Sequence, residues 1–120
     1  GVIALAKGLK INKAIQNIDL SQNRFGDKGV IALAKSLQFN KSIENLNLSR
    51  NWQICNEGAI ALAKSLKINQ TIKNINLEFN CINNEGQIAL KKSLQINTNL
   101  QNINLNGNNK IDYKKKCLIT

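Results

Sequence analysis

The feature that most restricts the fold of this chain is an internal repeat. Two residue types recur along the 120 residues with the same intervals of 28, 29 and 28 residues. They are the glycines Gly1, Gly29, Gly58 and Gly86 and the asparagines Asn23, Asn51, Asn80 and Asn108. A unit of this length cannot bury an apolar core alone and must stack on its neighbours. The sequence therefore predicts a solenoid of four stacked repeats.

Each repeat contains two hydrophobic periods. The second repeat begins "GVIALAKSLQFN", in which the apolar residues recur at helical spacing. It continues as "IENLNLSRN", in which Leu46 and Leu48 alternate with Asn45 and Asn47. Such alternation is typical of a short strand with one buried face. We therefore expect one helix and one strand in every repeat.

Two recurring residues flank each predicted helix. The glycines at its start predict a tight turn into the helix, because glycine has no Cβ and adopts backbone conformations that are strained for other residues. Asparagines follow its end at Asn12, Asn40, Asn69 and Asn97. Because asparagine tolerates a positive φ, we expect these four residues to be left-handed helix caps.

The strand segments "IQNIDLSQN", "IENLNLSRN", "IKNINLEFN" and "LQNINLNGN" match the pattern L-x-x-L-x-L-x-x-N. The chain thus resembles the leucine-rich repeat family, and its 28-residue helical repeat is similar to the ribonuclease-inhibitor class. The resemblance covers residues 1–112. It implies an α/β solenoid, or horseshoe segment, with a parallel sheet on the concave side and helices on the convex side. Similar repeats occur in bacterial effectors and in innate-immune receptors.

The resemblance also implies how residues 1–112 are used. The asparagine that ends each pattern should satisfy buried backbone groups at the turn after the strand. The apolar flank of the first helix needs a cover, so we expect these four repeats to be the C-terminal part of a longer array. Binding in the family usually involves the concave face and its adjoining loops.

Two columns of strand residues are predicted to form the concave floor. They are Asn17, Asn45, Asn74 and Asn102 in one column, and Asp19, Asn47, Asn76 and Asn104 in the next. Because seven of the eight are amides, a ligand in this groove would be recognised mainly by hydrogen bonds.

Columns that vary between repeats are better candidates for specific recognition. Just after the strands, the variable positions include Arg50, Trp52 and Phe79. If exposed, these three would form an arginine and aromatic cluster, a composition enriched at interface hot spots. Alternatively, Trp52 folds back as a local plug, because its loop is one residue longer than the others.

The net charge of +10, from 17 basic and 7 acidic residues, favours acidic partners. Most of the lysines are predicted on the helices, including the column Lys7, Lys35, Lys64 and Lys91. Only Arg24 and Arg50 could make the bidentate contacts preferred for reading bases, which argues against nucleic acid. A basic scaffold for nucleic acid or anionic surfaces stays an alternative to protein binding, as does a structural segment of a larger assembly.

Catalysis has little support in the sequence. The chain has no histidine, which excludes histidine-dependent triads and histidine zinc sites, and its few acidic residues are scattered. We predict no enzyme activity, no metal and no cofactor. The expected function is non-catalytic binding of a protein partner, as adaptor or scaffold, by a monomer.

Residues 113–120, "YKKKCLIT", depart from the repeat. The last four resemble a C-a-a-X prenylation signal, which makes Cys117 a lipidation candidate. Lys114, Lys115 and Lys116 would then contact an anionic membrane, and lipid and lysines would add their affinities. Since the sequence shows no signal-type or membrane-spanning segment, we expect a cytoplasmic protein, with the cytosolic face of a membrane as its site if Cys117 is lipidated.

Overall fold

The computed structural model describes residues 1–108, in which helices and strands alternate. The helices are α1 (Val2–Ile11), α2 (Asp27–Leu37), α3 (Asn56–Leu66) and α4 (Asn84–Ile96). The strands are β1 (Asn17–Asp19), β2 (Asn45–Asn47), β3 (Asn74–Asn76) and β4 (Asn102–Asn104). One helix and one strand per repeat are therefore confirmed.

The four strands form one parallel sheet in the order β1-β2-β3-β4. Equivalent residues pair directly: Asn17 lies opposite Asn45, which lies opposite Asn74, which lies opposite Asn102. The helices pack side by side in the same order, α1 on α2, α2 on α3 and α3 on α4. This is the predicted α/β solenoid, with the sheet as one layer and the helices as the other.

The core lies between these two layers. Leu33 and Leu62 enter it from the helices, and Leu46 and Ile75 from the strands, all at most 2% exposed. Full burial of one such side chain stabilises the fold by about 2 kcal/mol. The predicted apolar stripes are therefore the faces that hold the repeats together.

The repeat glycines serve a different purpose from the predicted turn. Gly29, Gly58 and Gly86 lie inside the first turns of their helices, where they are buried. A Cβ on Gly29 would come within 2.8 Å of Val2 Cγ1, and one on Gly58 within 2.7 Å of Asp27 Oδ1. These positions need glycine because the neighbouring helix approaches closely, so the turn interpretation was wrong.

The asparagines that follow the helices are not left-handed caps. Asn12 has φ −70° and Asn97 has φ −82°, and neither Asn40 nor Asn69 has a positive φ. Their side chains instead link neighbouring repeats. The amide nitrogen of Asn69 donates to the carbonyls of Leu37 and Asn40, at 2.8 and 3.0 Å. Asn40 and Asn97 make the equivalent bonds to their own preceding repeats.

The oxygen of the same side chain completes the link. Asn69 Oδ1 accepts hydrogen bonds from the backbone N–H groups of Thr71 and Ile72, each at 2.9 Å. One side-chain amide thus forms hydrogen bonds with four backbone groups that burial separates from water. We call Asn40, Asn69 and Asn97 the helix-end ladder.

A second ladder follows the strands, as the sequence predicted. The amide of Asn51 donates to the carbonyls of Leu20 and Leu48, and its oxygen accepts from Asn23 N at 2.9 Å. Asn80 and Asn108 repeat the pattern, and all three are buried. Asn23, in the first repeat, is exposed and donates only to Ser21 O in the same turn.

Candidate functional site

The first column of the concave floor is a chain of amides. Asn45 Nδ2 donates to Asn17 Oδ1 at 2.6 Å, and Asn74 Nδ2 donates to Asn45 Oδ1 at 2.8 Å. Because each bond joins one strand to the next, these side chains are held in a fixed orientation. Asn17, Asn45 and Asn74 therefore form one linked polar surface, which the side chain of Asn102 does not join within residues 1–108.

The second column uses its oxygens to shape the turns that follow the strands. Asp19 Oδ1 accepts from Ser21 N at 2.9 Å, and Asn47 and Asn76 accept in the same way from the backbone two residues later. Hydrogen bonds from the Ser21 hydroxyl and backbone lower the pKa of Asp19. Asp19 is therefore a carboxylate at neutral pH, the one charged member of the two columns.

Together the columns line a shallow trough of about 430 Å³. Within residues 1–108, the amide nitrogens of Asn47 and Asn76 make no hydrogen bond, so they remain available as donors. A partner that offers carbonyl or carboxylate oxygens would match this floor.

The three predicted edge residues come together at the rim where the strands end. The guanidinium carbon of Arg50 lies 4.5 Å from the centroid of the Phe79 ring. The rings of Trp52 and Phe79 are 6.0 Å apart and inclined at 42°. Trp52 is 57% exposed, so it does not plug its own loop. We call Arg50, Trp52 and Phe79 the rim cluster.

The rim cluster stands on a strained but well-supported backbone. Arg50, Trp52 and Phe79 have φ values of 58°, 63° and 56°, in the left-handed region. Such a conformation costs a residue with a side chain roughly 1 kcal/mol. The neighbouring repeat holds it in place: Arg50 N donates to Glu78 O at 2.9 Å, and Trp52 N donates to Asn80 Oδ1 at 3.0 Å.

The last repeat makes room for the Phe79 ring. Gly107 stands at the equivalent position, with φ +76°, and a Cβ there would lie 2.5 Å from Phe79 Cδ1. The ring therefore lies directly over this glycine. Arg24 is a further candidate that the anchor prediction omitted, because it lines a cleft of about 300 Å³ with Gln22, Arg50 and Trp52. The sequence did contain a signal for Arg24, because this residue occupies the same repeat position as Trp52.

Charge is sparse at the trough and abundant on the helices. The helical column Lys7, Lys35, Lys64 and Lys91 is exposed, as predicted. Within residues 1–108 the only ion pair joins Lys73 Nζ to Glu44 Oε1, at 3.4 Å. Both side chains are more than a third exposed, so this pair adds little to stability.

The described part of the chain offers no grouping of three or more metal-ligating side chains. Burial, and secondarily the charge of Asp27, raise the pKa of the Cys55 thiol to about 11, which makes it a poor nucleophile. None of the helices in this part is long and apolar enough to cross a membrane. The predicted lipidation residue Cys117 and the lysines Lys114, Lys115 and Lys116 lie outside the described residues, so their roles stay predictions.

Comparisons with known proteins agree with this architecture. A family model described as "Leucine Rich repeat" matches residues 12–34, 39–63 and 69–91. Among solved structures, the chain is similar to "Leiomodin-1 Actin-Binding Site 2 (ABS2)", with a TM-score of 0.80 and 21% identity over 98% of this chain and 68% of that one.

A second similar structure is a tropomodulin C-terminal domain from Caenorhabditis elegans. Its TM-score is 0.80 and its identity is 14%, over 98% of this chain and 74% of that one. At these identities the two structures show a shared fold. No curated protein sequence matches significantly. The family match covers more than half of the chain, which therefore belongs to the leucine-rich repeat family.

Proposed function

We propose that this protein is a non-catalytic protein-binding module whose partner is anchored at the rim cluster. The observation that carries the proposal is the packing of two exposed side chains, Arg50 and Trp52, on the half-buried ring of Phe79. Arginine and large aromatic residues dominate binding energy in protein interfaces. Because Arg50 and Trp52 each already contact the Phe79 ring, their immobilisation on binding should cost less entropy than that of isolated side chains.

The site also suggests the chemistry of the partner. Arg50 can donate hydrogen bonds to a carboxylate or carbonyl oxygen, and the exposed face of Trp52 can pack against an apolar side chain. The trough beside them offers the amide donors of Asn47 and Asn76. The expected ligand is therefore an acidic protein segment that places an apolar residue on the rim and backbone carbonyls on the floor.

A direct test follows the binding of candidate partners by fluorescence. Trp52 is the only tryptophan of this chain, so the emission of the complex reports on the rim cluster once the emission of the partner alone is subtracted. Actin is the first candidate to test, because one similar structure is named as an actin-binding site. A partner that buries the cluster should shift the emission of Trp52 to shorter wavelength.

Mutations of the rim cluster then test the anchor assignment. Loss of a hot-spot side chain costs about 2 kcal/mol, or roughly 30-fold in affinity. Arg50→Ala and Trp52→Ala should each weaken binding to this extent. Ile88→Ala is the matched control, since Ile88 is 53% exposed but lies on α4. If all three variants bound the partner with the affinity of the parent chain, the partner would bind elsewhere.

The net charge of +10 supports the alternative of a scaffold for nucleic acid or other anionic polymers. That alternative predicts binding to unrelated polyanions, with affinity that falls steeply as salt rises. Recognition through the rim cluster predicts selectivity and a shallow salt dependence. A salt titration against the partner and against arbitrary DNA separates the two.

A further inference from the structure

A row of exposed apolar side chains runs along the opposite edge of the solenoid. Its members share one repeat position, immediately before the helix-end asparagine. They are Ile11, Phe39, Ile68 and Ile96, with exposed fractions of 76%, 56%, 57% and 58%. We call these four residues the apolar ridge. It lies where the helices end and the strands begin, whereas the rim cluster lies where the strands end.

Lysines flank the apolar ridge without nearby acids. Lys10, Lys13, Lys41 and Lys67 each lie within two residues of a ridge residue, and no aspartate or glutamate does. Helices α2, α3 and α4 carry an acidic residue in the first turn, at the far end of the helix. On the ridge side, the carboxylate of Glu44 is paired with Lys73.

The first two residues of the ridge combine both features. Ile11 and Phe39 share a cleft of about 610 Å³ with Lys10, Lys13 and Lys41. Lys10 Nζ lies 4.6 Å from the centroid of the Phe39 ring, so its ammonium group stands over the apolar surface. Three lysines that line a cleft with two exposed apolar side chains match a phosphate headgroup above its acyl chains.

We propose that the apolar ridge is a docking surface for an anionic phospholipid bilayer. The ridge side chains insert among the headgroups and upper acyl chains, and the flanking lysines contact phosphate and carboxylate groups. Hydrophobic insertion and lysine contacts add in such peripheral binding.

The ridge fits a bilayer better than it fits a protein. Its residues are nearly uniform from repeat to repeat, whereas the residues at the rim change in every repeat. Uniform apolar tips give no basis for distinguishing one protein sequence from another. A second copy of the chain is disfavoured as the occupant of the ridge, because Lys10, Lys13 and Lys41 would face the same three lysines of the other copy and repel them.

The test is sedimentation of the 120-residue chain, purified from bacteria and hence unprenylated, with phosphatidylcholine vesicles that contain or lack phosphatidylserine. Binding should require phosphatidylserine. The ridge variant Ile11→Ser/Phe39→Ser/Ile68→Ser should bind with an affinity at least about tenfold lower than that of the parent chain. Ile88→Ser is the control, because it removes an equally exposed isoleucine eight residues before Ile96 and keeps every charge.

Three single variants test the lysines. Lys10→Gln, Lys13→Gln and Lys41→Gln should each reduce partition by about fivefold. Because all these side chains are exposed, circular dichroism and thermal unfolding should show that the variants remain folded.

The proposal would be overturned by no binding to phosphatidylserine vesicles, by equal binding of the ridge variant and its parent, or by an equal loss in Ile88→Ser. Capture of an acidic amphipathic peptide by the ridge, without vesicle binding, would also refute it. The inference is independent of the protein-binding proposal, since the Arg50→Ala and Trp52→Ala variants test that one with a soluble partner.

Discussion

Replacement of Asn69 by alanine should lower the free energy of unfolding by about 4 kcal/mol. The side chain of Asn69 is 3% exposed and makes four hydrogen bonds to backbone groups in two adjacent repeats. Each such bond contributes about 1 kcal/mol net, and alanine offers no substitute. Domains of this size are stable by only about 5–15 kcal/mol, so the loss should be large and measurable.

Asn12 provides a matched control within the same chain. It occupies the same repeat position but is only half-buried, and its oxygen accepts from Ala14 N and Ile15 N, both at 2.8 Å. Within residues 1–108 its amide nitrogen has no carbonyl of an earlier repeat to bond. Asn12→Ala should therefore cost about 1 kcal/mol, since water replaces partly exposed bonds.

The assay is urea unfolding followed by circular dichroism, with Asn69→Asp as a third variant. Aspartate keeps the two acceptor contacts to Thr71 and Ile72 but cannot donate to Leu37 and Asn40. It also places a charge there, so it should be destabilising as well. If Asn69→Ala and Asn12→Ala differed by less than about 0.5 kcal/mol, the helix-end ladder would not stabilise the array as argued.

Two more predictions concern glycine and cysteine. Gly107→Ala should destabilise by about 2 kcal/mol in urea, because of its positive φ and the Phe79 ring, whereas Gly8→Ala, in open space on α1, should stabilise by about 0.5 kcal/mol; shifts of the same sign would contradict this. At pH 8 roughly a thousandth of Cys55 should be thiolate, since burial and the charge of Asp27 raise its pKa to about 11. The rate of Cys55 alkylation, measured by peptide mass spectrometry, should increase as the pH rises toward about 11. Fast labelling of the folded protein at pH 8 would refute the raised pKa.

Much of the fold followed from the sequence because the repeat and the alternation act together. Leu46 and Leu48 must face the core, which places Asn45 and Asn47 on the opposite side, and a fixed period brings equivalent residues into register. The same logic placed Arg50, Trp52 and Phe79 on one rim. It could not show that Arg50 and Phe79 would touch, since that depends on rotamers and on the bare backbone at Gly107.

The errors concerned residues with more than one physical use. Asparagine favours both positive φ and hydrogen bonds to backbone groups, so spacing alone could not distinguish a cap at Asn69 from a ladder. The left-handed positions are instead occupied by residues such as Gln22 and Phe79, which sequence preference would not select. The apolar ridge had a signal: an apolar residue such as Phe39 recurs just before each ladder asparagine, away from the buried stripe of the helix.

The donors of both ladders point in one direction along the chain. The amides of Asn40, Asn69 and Asn97 bond to carbonyls 28–32 residues earlier in the sequence. Those of Asn51, Asn80 and Asn108 also reach carbonyls 31 or 32 residues earlier. A ribosome makes the chain in the same order, so each amide emerges after the carbonyls that it needs. Every finished repeat is thus a template for the next, and the array can grow during translation without waiting for its C-terminus.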